Sequence, residues 1–350
     1  MTTVAAGARM SHNDSNFRFE VATMTAPLLF ALAGTRDLGT AVAARLGTGL
    51  ADHEERPFED GEFKIRPLQS VRNRRVFVLA SLYGDPQLGV NDKLMRLLMF
   101  AGALRDASAH EINLVLPYLA YARKDRRTKP RDPVSLRYLA TMLESVGTDR
   151  VVTLEVHNPA AYQNAFRCVT EHLEAAAVQV PALASRLDGA GAIAVVSPDT
   201  GGYKRAQDFR RRLERRLGRA IDTAFVEKLR SGGELFHGRL VGRVTDATVL
   251  IVDDLIVTGR TLIHAARVCR AAGARTVMAV AAHGVFHSAA NEHLADPALD
   301  RIVICNGVTP WRIDNPAVKA KLEILDIAPF LAAVIAAIDR GESLTERLSG

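Results

Sequence analysis

Val249-Leu250-Ile251-Val252-Asp253-Asp254-Leu255-Ile256-Val257-Thr258-Gly259-Arg260-Thr261-Leu262 decides how this chain folds. Four apolar residues in a row predict a strand covered on both faces, as in a parallel sheet. The strand is expected to end in two adjacent carboxylates. A Thr-Gly-x-Thr turn then opens a helix over residues 261–272. Gly259 lets backbone approach a ligand closely, and Thr258 and Thr261 supply hydroxyls. The first N–H groups of the helix have no internal partners and face an anion. Such a loop suits a phosphate monoester, and the two Asp side chains suit sugar hydroxyls or a hydrated Mg²⁺.

The same strand-then-helix unit recurs along the chain. Short β-branched runs at 28–32, 76–79, 113–116, 151–154, 193–196, 249–252, 277–280 and 302–304 predict strands. Helical stretches at 38–46, 93–104, 134–146, 261–272 and 332–338 lie among them. The alternation predicts an α/β architecture in two tandem parts, each a mainly parallel sheet flanked by helices. Residues 1–26 read as a loose extension, 27–175 as the first domain, 176–326 as the second, and 327–350 as a helical tail. The segment 168–191 separates the two sets of units. In such sheets ligands bind beyond the carboxyl ends of the strands, which is where the unusual residues cluster.

The net charge of +6 admits two partner classes, nucleic acid or small polyphosphates. Much of the excess lies in 205–219, where Tyr203, Ala206, Phe209, Leu213 and Leu217 recur every three or four residues. That spacing predicts an amphipathic helix whose arginines form a solvated outer face. No aromatics interleave with them as base-stacking platforms, so nucleic acid is not expected. No apolar run is long enough to span a bilayer. Cys168, Cys269 and Cys305 have no metal-ligand or disulfide spacing, which fits a reducing cytoplasm.

The segment from Val249 to Leu262 resembles the PRPP-binding motif shared by type I phosphoribosyltransferases and phosphoribosyl pyrophosphate (PRPP) synthetases, which leaves two enzyme classes open. Four more segments resemble the ribose-phosphate pyrophosphokinase (PRPP synthetase) family in particular. They are Phe58-Glu59-Asp60-Gly61-Glu62; the arginine-rich loop from Tyr121-Ala122-Arg123-Lys124; the pair His157 and Asp199, each after an apolar run; and Lys228-Leu229-Arg230. The similarity extends from about Leu28 to Arg347, including the tail through Gly341-Glu342-Ser343.

The resemblance implies two phosphoribosyltransferase-like domains, with the tail returning to the first. It also implies an oligomer, a hexamer in the family, acting on ATP and ribose 5-phosphate with Mg²⁺ as cofactor. In the implied site, Phe58, Asp60, Gly61 and Glu62 contact adenine of ATP on a neighbouring subunit, and Arg123 and Lys124 bind the nucleotide. His157 and Asp199 hold the metal. Asp253 and Asp254 meet the ribose hydroxyls, while Val257, Thr258, Gly259, Arg260 and Thr261 cradle the 5-phosphate. Lys228 and Arg230 are the implied catalytic cations, and Arg230 also reaches ribose 5-phosphate. Lys124 stands where Gln is usual, Val257 replaces a frequent Asp, and Arg260 a small residue. The alternatives are a non-catalytic relative of the family and a phosphoribosyltransferase that consumes PRPP.

Overall fold

In the computed structural model, residues 27–231 and 234–345 are described, with backbone alone for 228–231 and 234–238. The expected extension at 1–26 and the side chains of Lys228 and Arg230 lie outside the described set.

The first half contains β1 (Leu28–Ala31), α1 (Arg36–Arg45), β2 (His53–Pro57), β3 (Phe63–Pro67), β4 (Arg75–Leu79) and α2 (Val90–Asp106). It continues with β5 (Glu111–Leu116), α3 (Ser135–Ser145), β6 (Arg150–Leu154), α4 (Pro159–Ala165) and β7 (Val169–Leu173). Five of these strands form a parallel sheet in the order β1-β4-β5-β6-β7, and β2 and β3 pair as a separate antiparallel hairpin.

The second half contains α5 (Ala176–Leu187), β8 (Ile193–Ser197), α6 (Tyr203–Leu217), β9 (Asp222–Ser231), β10 (Glu234–Val241), β11 (Thr248–Ile256) and α7 (Arg260–Ala271). It ends with β12 (Thr276–Gly284), α8 (Ala290–His293), β13 (Arg301–Cys305), α9 (Pro316–Lys321), β14 (Leu322–Leu325) and α10 (Ala328–Arg340). Its seven strands run β10-β9-β8-β11-β12-β13-β14, all parallel except the β9–β10 hairpin.

Burial explains why these runs are apolar throughout. Every residue of β1 and β8 is buried, as are four of the five in β4 and β6. One face of the first sheet packs Phe30, Val78, Ile112 and Leu114 against Leu97, Phe100 and Leu104 of α2 and Leu139 and Leu143 of α3. Its other face packs Leu29, Phe77 and Leu79 against Leu331, Val334, Ile335 and Ile338 of α10. Helix α10 of the tail therefore lies on the first sheet. Arg75 secures it there by donating from Nη1 to the Asp339 carbonyl at 2.6 Å.

Two expectations change. Residues 168–191 are not a separator: β7 completes the first sheet, while α5 packs Val180, Leu183 and Leu187 against Phe209 and Leu213 of α6. The Asp pair does not end its strand either. β8 stops pairing with β11 at Ile251, but β12 continues alongside through Ile256↔Gly284, so Asp253 and Asp254 sit inside an extended segment. Adjacent strand residues alternate in direction, yet the two carboxylates share one neighbour, since Arg205 Nη1 lies 3.6 Å from Oδ1 of each.

Candidate active site

The carboxyl ends of β6, β8 and β11 converge at the junction of the two sheets. Asp254 is buried, and its Oδ2 lies 2.8 Å from Nδ1 of His157 in the loop after β6. Burial alone would raise the Asp254 pKa; the His157 hydrogen bond and Arg205 outweigh it and hold the carboxyl below its ordinary range. His157 is raised in return, chiefly by that hydrogen bond and against its partial burial. Asp253 is pushed upward by burial and by its charged neighbour Asp254. The pair thus holds one firmly ionised carboxylate and one that binds protons readily.

Local sequence positions the His157 loop. Asn158 caps α4 by accepting from the Ala161 N–H at 3.2 Å, and Pro159 occupies the first helical turn, where no backbone donor is needed. The Asn158 amide also donates to Asp125 Oδ2 at 2.7 Å, tying this loop to the arginine-rich one. In that second loop Arg123 is exposed. Lys124 donates to Thr128 Oγ1 at 3.0 Å and pairs with Asp132 at 2.5 Å, so its charge is anchored within its own loop. Tyr118 packs edge-on against His283, with ring centroids 5.1 Å apart.

The loop after β11 has the conformation that its glycine requires. Gly259 caps α7 with φ +76°, and a Cβ there would come within 2.6 Å of Leu294 Cδ2. His293 Nδ1 donates to the Thr258 carbonyl at 2.7 Å, and the His287 N–H donates to the Val257 carbonyl at 2.8 Å. Those carbonyls are thereby engaged within the protein, and the first N–H groups of α7 have no partner inside the helix. Arg260 is exposed beside it, with its N–H 3.4 Å from Thr258 Oγ1; Thr261 opens the helix behind it.

Asp199 follows β8, and its Oδ1 accepts from the N–H groups of Gly201 and Gly202 at 3.0 and 3.1 Å. This carboxylate shapes the turn into α6, whereas His157 is bonded to Asp254. Phe58, Asp60, Gly61 and Glu62 form the exposed tip of the β2–β3 hairpin. The Glu62 carbonyl accepts from Phe58 N–H at 2.8 Å, and Asp60 Oδ1 accepts from Glu62 N–H at 3.0 Å.

Arg205 corrects the reading of α6. It belongs to no solvated face: its Nε donates to Glu155 Oε1 at 3.1 Å, and Nη1 stands 3.6 Å from Oδ1 of both Asp253 and Asp254. Periodicity marked the apolar stripe of the helix, but a first-turn arginine at the end of β8 can fold back over the strand ends. Its place at the ligand-binding edge of the sheet was the usable signal.

Comparison with known proteins finds relatives along most of the chain. A family profile described as the N-terminal domain of ribose phosphate pyrophosphokinase matches residues 28–147, and one described as a phosphoribosyl synthetase-associated domain matches residues 235–348. The chain is 36% identical to a ribose-phosphate pyrophosphokinase of Ureaplasma parvum serovar 3, over 90% of this chain and 92% of that protein. It is 35% identical to one of Haemophilus ducreyi, over 91% and 97%. The crystal structure of phosphoribosylpyrophosphate synthetase from Mycobacterium smegmatis superposes with a TM-score of 0.80 at 31% identity, covering 91% of this chain and all of that one.

Proposed function

The chain belongs to the ribose-phosphate pyrophosphokinase family, and we propose that the cleft around His157 and Asp254 is where it makes PRPP. The 1-hydroxyl of ribose 5-phosphate attacks the β-phosphorus of Mg·ATP. The O1–Pβ bond forms, the bond from Pβ to the α,β-bridging oxygen breaks, AMP leaves with that oxygen, and the hydroxyl proton passes to the medium. The observation that carries this reading is the 2.8 Å His157–Asp254 bond, which joins a loop of the first sheet to the acidic pair of the second.

Phosphoryl transfer asks mainly for alignment and charge neutralisation. In this reading Asp253 and Asp254 orient the ribose hydroxyls, and the segment from Val257 to Thr261 receives the 5-phosphate on the first turn of α7, with Arg260 adding charge. Arg123 and the anchored Lys124 face the ATP phosphates. The exposed hairpin tip, with Phe58, Asp60, Gly61 and Glu62, reaches the adenine of ATP on a second copy, so the working form is an oligomer. Lys228 and Arg230 stabilise charge on the transferring and leaving oxygens, and Arg230 also contacts ribose 5-phosphate. Losing one such cation costs about 3 kcal/mol of transition-state stabilisation.

His157 and Asp199 would hold Mg²⁺. His157 is half exposed, and both residues stand just beyond the carboxyl ends of their strands, β6 and β8. Among the described residues no group of three or more His, Cys, Asp or Glu forms a closed metal cage. Two protein donors, His157 and Asp199, leave the rest of a Mg²⁺ shell to substrate phosphates and water. When bound, Mg²⁺ neutralises the polyphosphate charge.

Among the described residues no helix is long and apolar enough to cross a membrane. Cys168, Cys269 and Cys305 are free thiols, the last two buried. The test is AMP formation from Mg·ATP with and without ribose 5-phosphate. AMP that requires the sugar is expected; folded protein that binds ribose 5-phosphate yet releases no AMP would favour a non-catalytic relative.

A further inference from the structure

Glu155 carries no role in the reaction above, yet its backbone N–H and carbonyl and both carboxylate oxygens are all hydrogen-bonded. Its φ is +45°, a conformation that residues with a side chain rarely adopt. Its N–H donates to the Leu173 carbonyl at 2.8 Å, and its carbonyl accepts from His283 Nε2 at 3.1 Å. Oε2 accepts from the Ala175 N–H at 3.1 Å, and Oε1 accepts from Arg205 Nε at 3.1 Å. The same guanidinium donates from Nη2 to the His157 carbonyl at 3.3 Å and stands 3.6 Å from each Asp of the pair.

Glu155 and His157 follow β6 of the first sheet, while Arg205 and the Asp pair belong to the second. One arginine therefore touches both sides of the reaction. Both partners are largely buried, with the Glu155 side chain 12% and the Arg205 side chain 20% exposed. A buried ion pair is weak support for stability by itself, because desolvation offsets most of the attraction. Strained backbone at such a place costs further. What the pair supplies is registry: a planar fork accepts its partners in one arrangement only.

We infer that Glu155 and Arg205 form a positioning clamp that fixes the loop from Glu155 to Asn158 against the Asp253–Asp254 pair, so that the bound ATP and ribose 5-phosphate meet in line. The inference rests on the reaction proposed above. Other bonds join the halves without it: Ser81 Oγ to the Gly307 carbonyl at 2.5 Å, Tyr83 Oη to Thr309 Oγ1 at 3.0 Å, and Trp311 Nε1 to the Gly84 carbonyl at 2.9 Å. Breaking the clamp should thus leave a folded protein whose substrates bind but are misaligned.

The experiment uses the full chain as Glu155→Gln, Arg205→Lys and the double variant, with kcat and KM for both substrates, calorimetric Kd for each substrate alone, and thermal melting. For Glu155→Gln, kcat should fall on the order of a hundredfold, as expected for a misplacement near 1 Å, with each separate Kd within about threefold of wild type. The double variant should be no slower than the worse single one, because both remove the same link. If Glu155→Gln does not fold, Arg205→Lys is read instead: it keeps the charge, loses the fork and should still lose kcat. A folded variant with kcat within about threefold of wild type, or a loss confined to KM, overturns the clamp. A wild-type protein that forms no AMP overturns the proposed reaction, and the clamp with it.

Discussion

Gly259 answers two demands that no other residue meets together. Its φ of +76° is costly for any residue with a Cβ, and the space a Cβ would need is filled by Leu294. Gly259→Ala should therefore displace the phosphate loop while leaving the first sheet untouched. Steady-state kinetics should show KM for ribose 5-phosphate raised by about tenfold or more, with KM for ATP changed by less than about threefold. A variant with both constants unaltered would remove the loop from ribose 5-phosphate binding. The same residue was legible in the sequence, because a glycine flanked by threonines after an apolar strand marks a turn where backbone and hydroxyls come close to a ligand. So was the acidic pair, since carboxylates after four buried residues are expensive unless used. Arg205 was legible only from its place just after β8, not from periodicity. Apolar spacing identifies the buried stripe of a helix, but it does not report that a long side chain in the first turn reaches back over the strand ends.

Among the elements, the β2–β3 hairpin was the hardest to read. His53-Glu54-Glu55-Arg56-Pro57 is polar up to its final proline and lacks the apolar alternation of a strand, yet it pairs with Phe63–Pro67 in regular antiparallel register. Tertiary bonding supplies what its composition does not. Glu55 Oε1 accepts from the Ala33 N–H at 2.8 Å and lies 2.9 Å from His53 Nε2, while Oε2 pairs with Arg96 at 3.3 Å. Burial works to raise the Glu55 pKa, but His53, the Ala33 amide and Arg96 together take it below its ordinary value. A carboxyl lowered on folding stabilises the protein fully above its unfolded pKa of about 4.3, and that contribution is lost as pH falls through the folded value. Glu55→Gln should thus cost about 1–3 kcal/mol at neutral pH, by denaturant unfolding. The gap from wild type should narrow below about pH 4.3; a gap constant from pH 7 to pH 3 would contradict the role given to this carboxylate. β7 and β14 escaped the sequence for a related reason: both are short edge strands, with only Leu173 and Leu325 buried.

For the whole molecule, two repeats of strand and helix foretold two parallel sheets, and the continuous apolar runs foretold that both faces of each would be covered. How the sheets meet was not written in any local pattern. It depends on bonds between residues far apart in sequence, such as His157 with Asp254 and His283 with the Leu154 carbonyl at 2.9 Å. Those contacts bring the end of one sheet to the end of the other, and the proposed chemistry needs that junction, since a diphosphoryl donor and a sugar acceptor must be held by separate surfaces and presented in line. The most direct test of the proposed reaction is phosphorus NMR of the products from Mg·ATP and ribose 5-phosphate. The expected products are AMP and a sugar that carries a diphosphate on C1 and keeps its 5-phosphate. ADP with a sugar that has gained a single phosphoryl group, or no turnover by folded protein, would contradict the reaction.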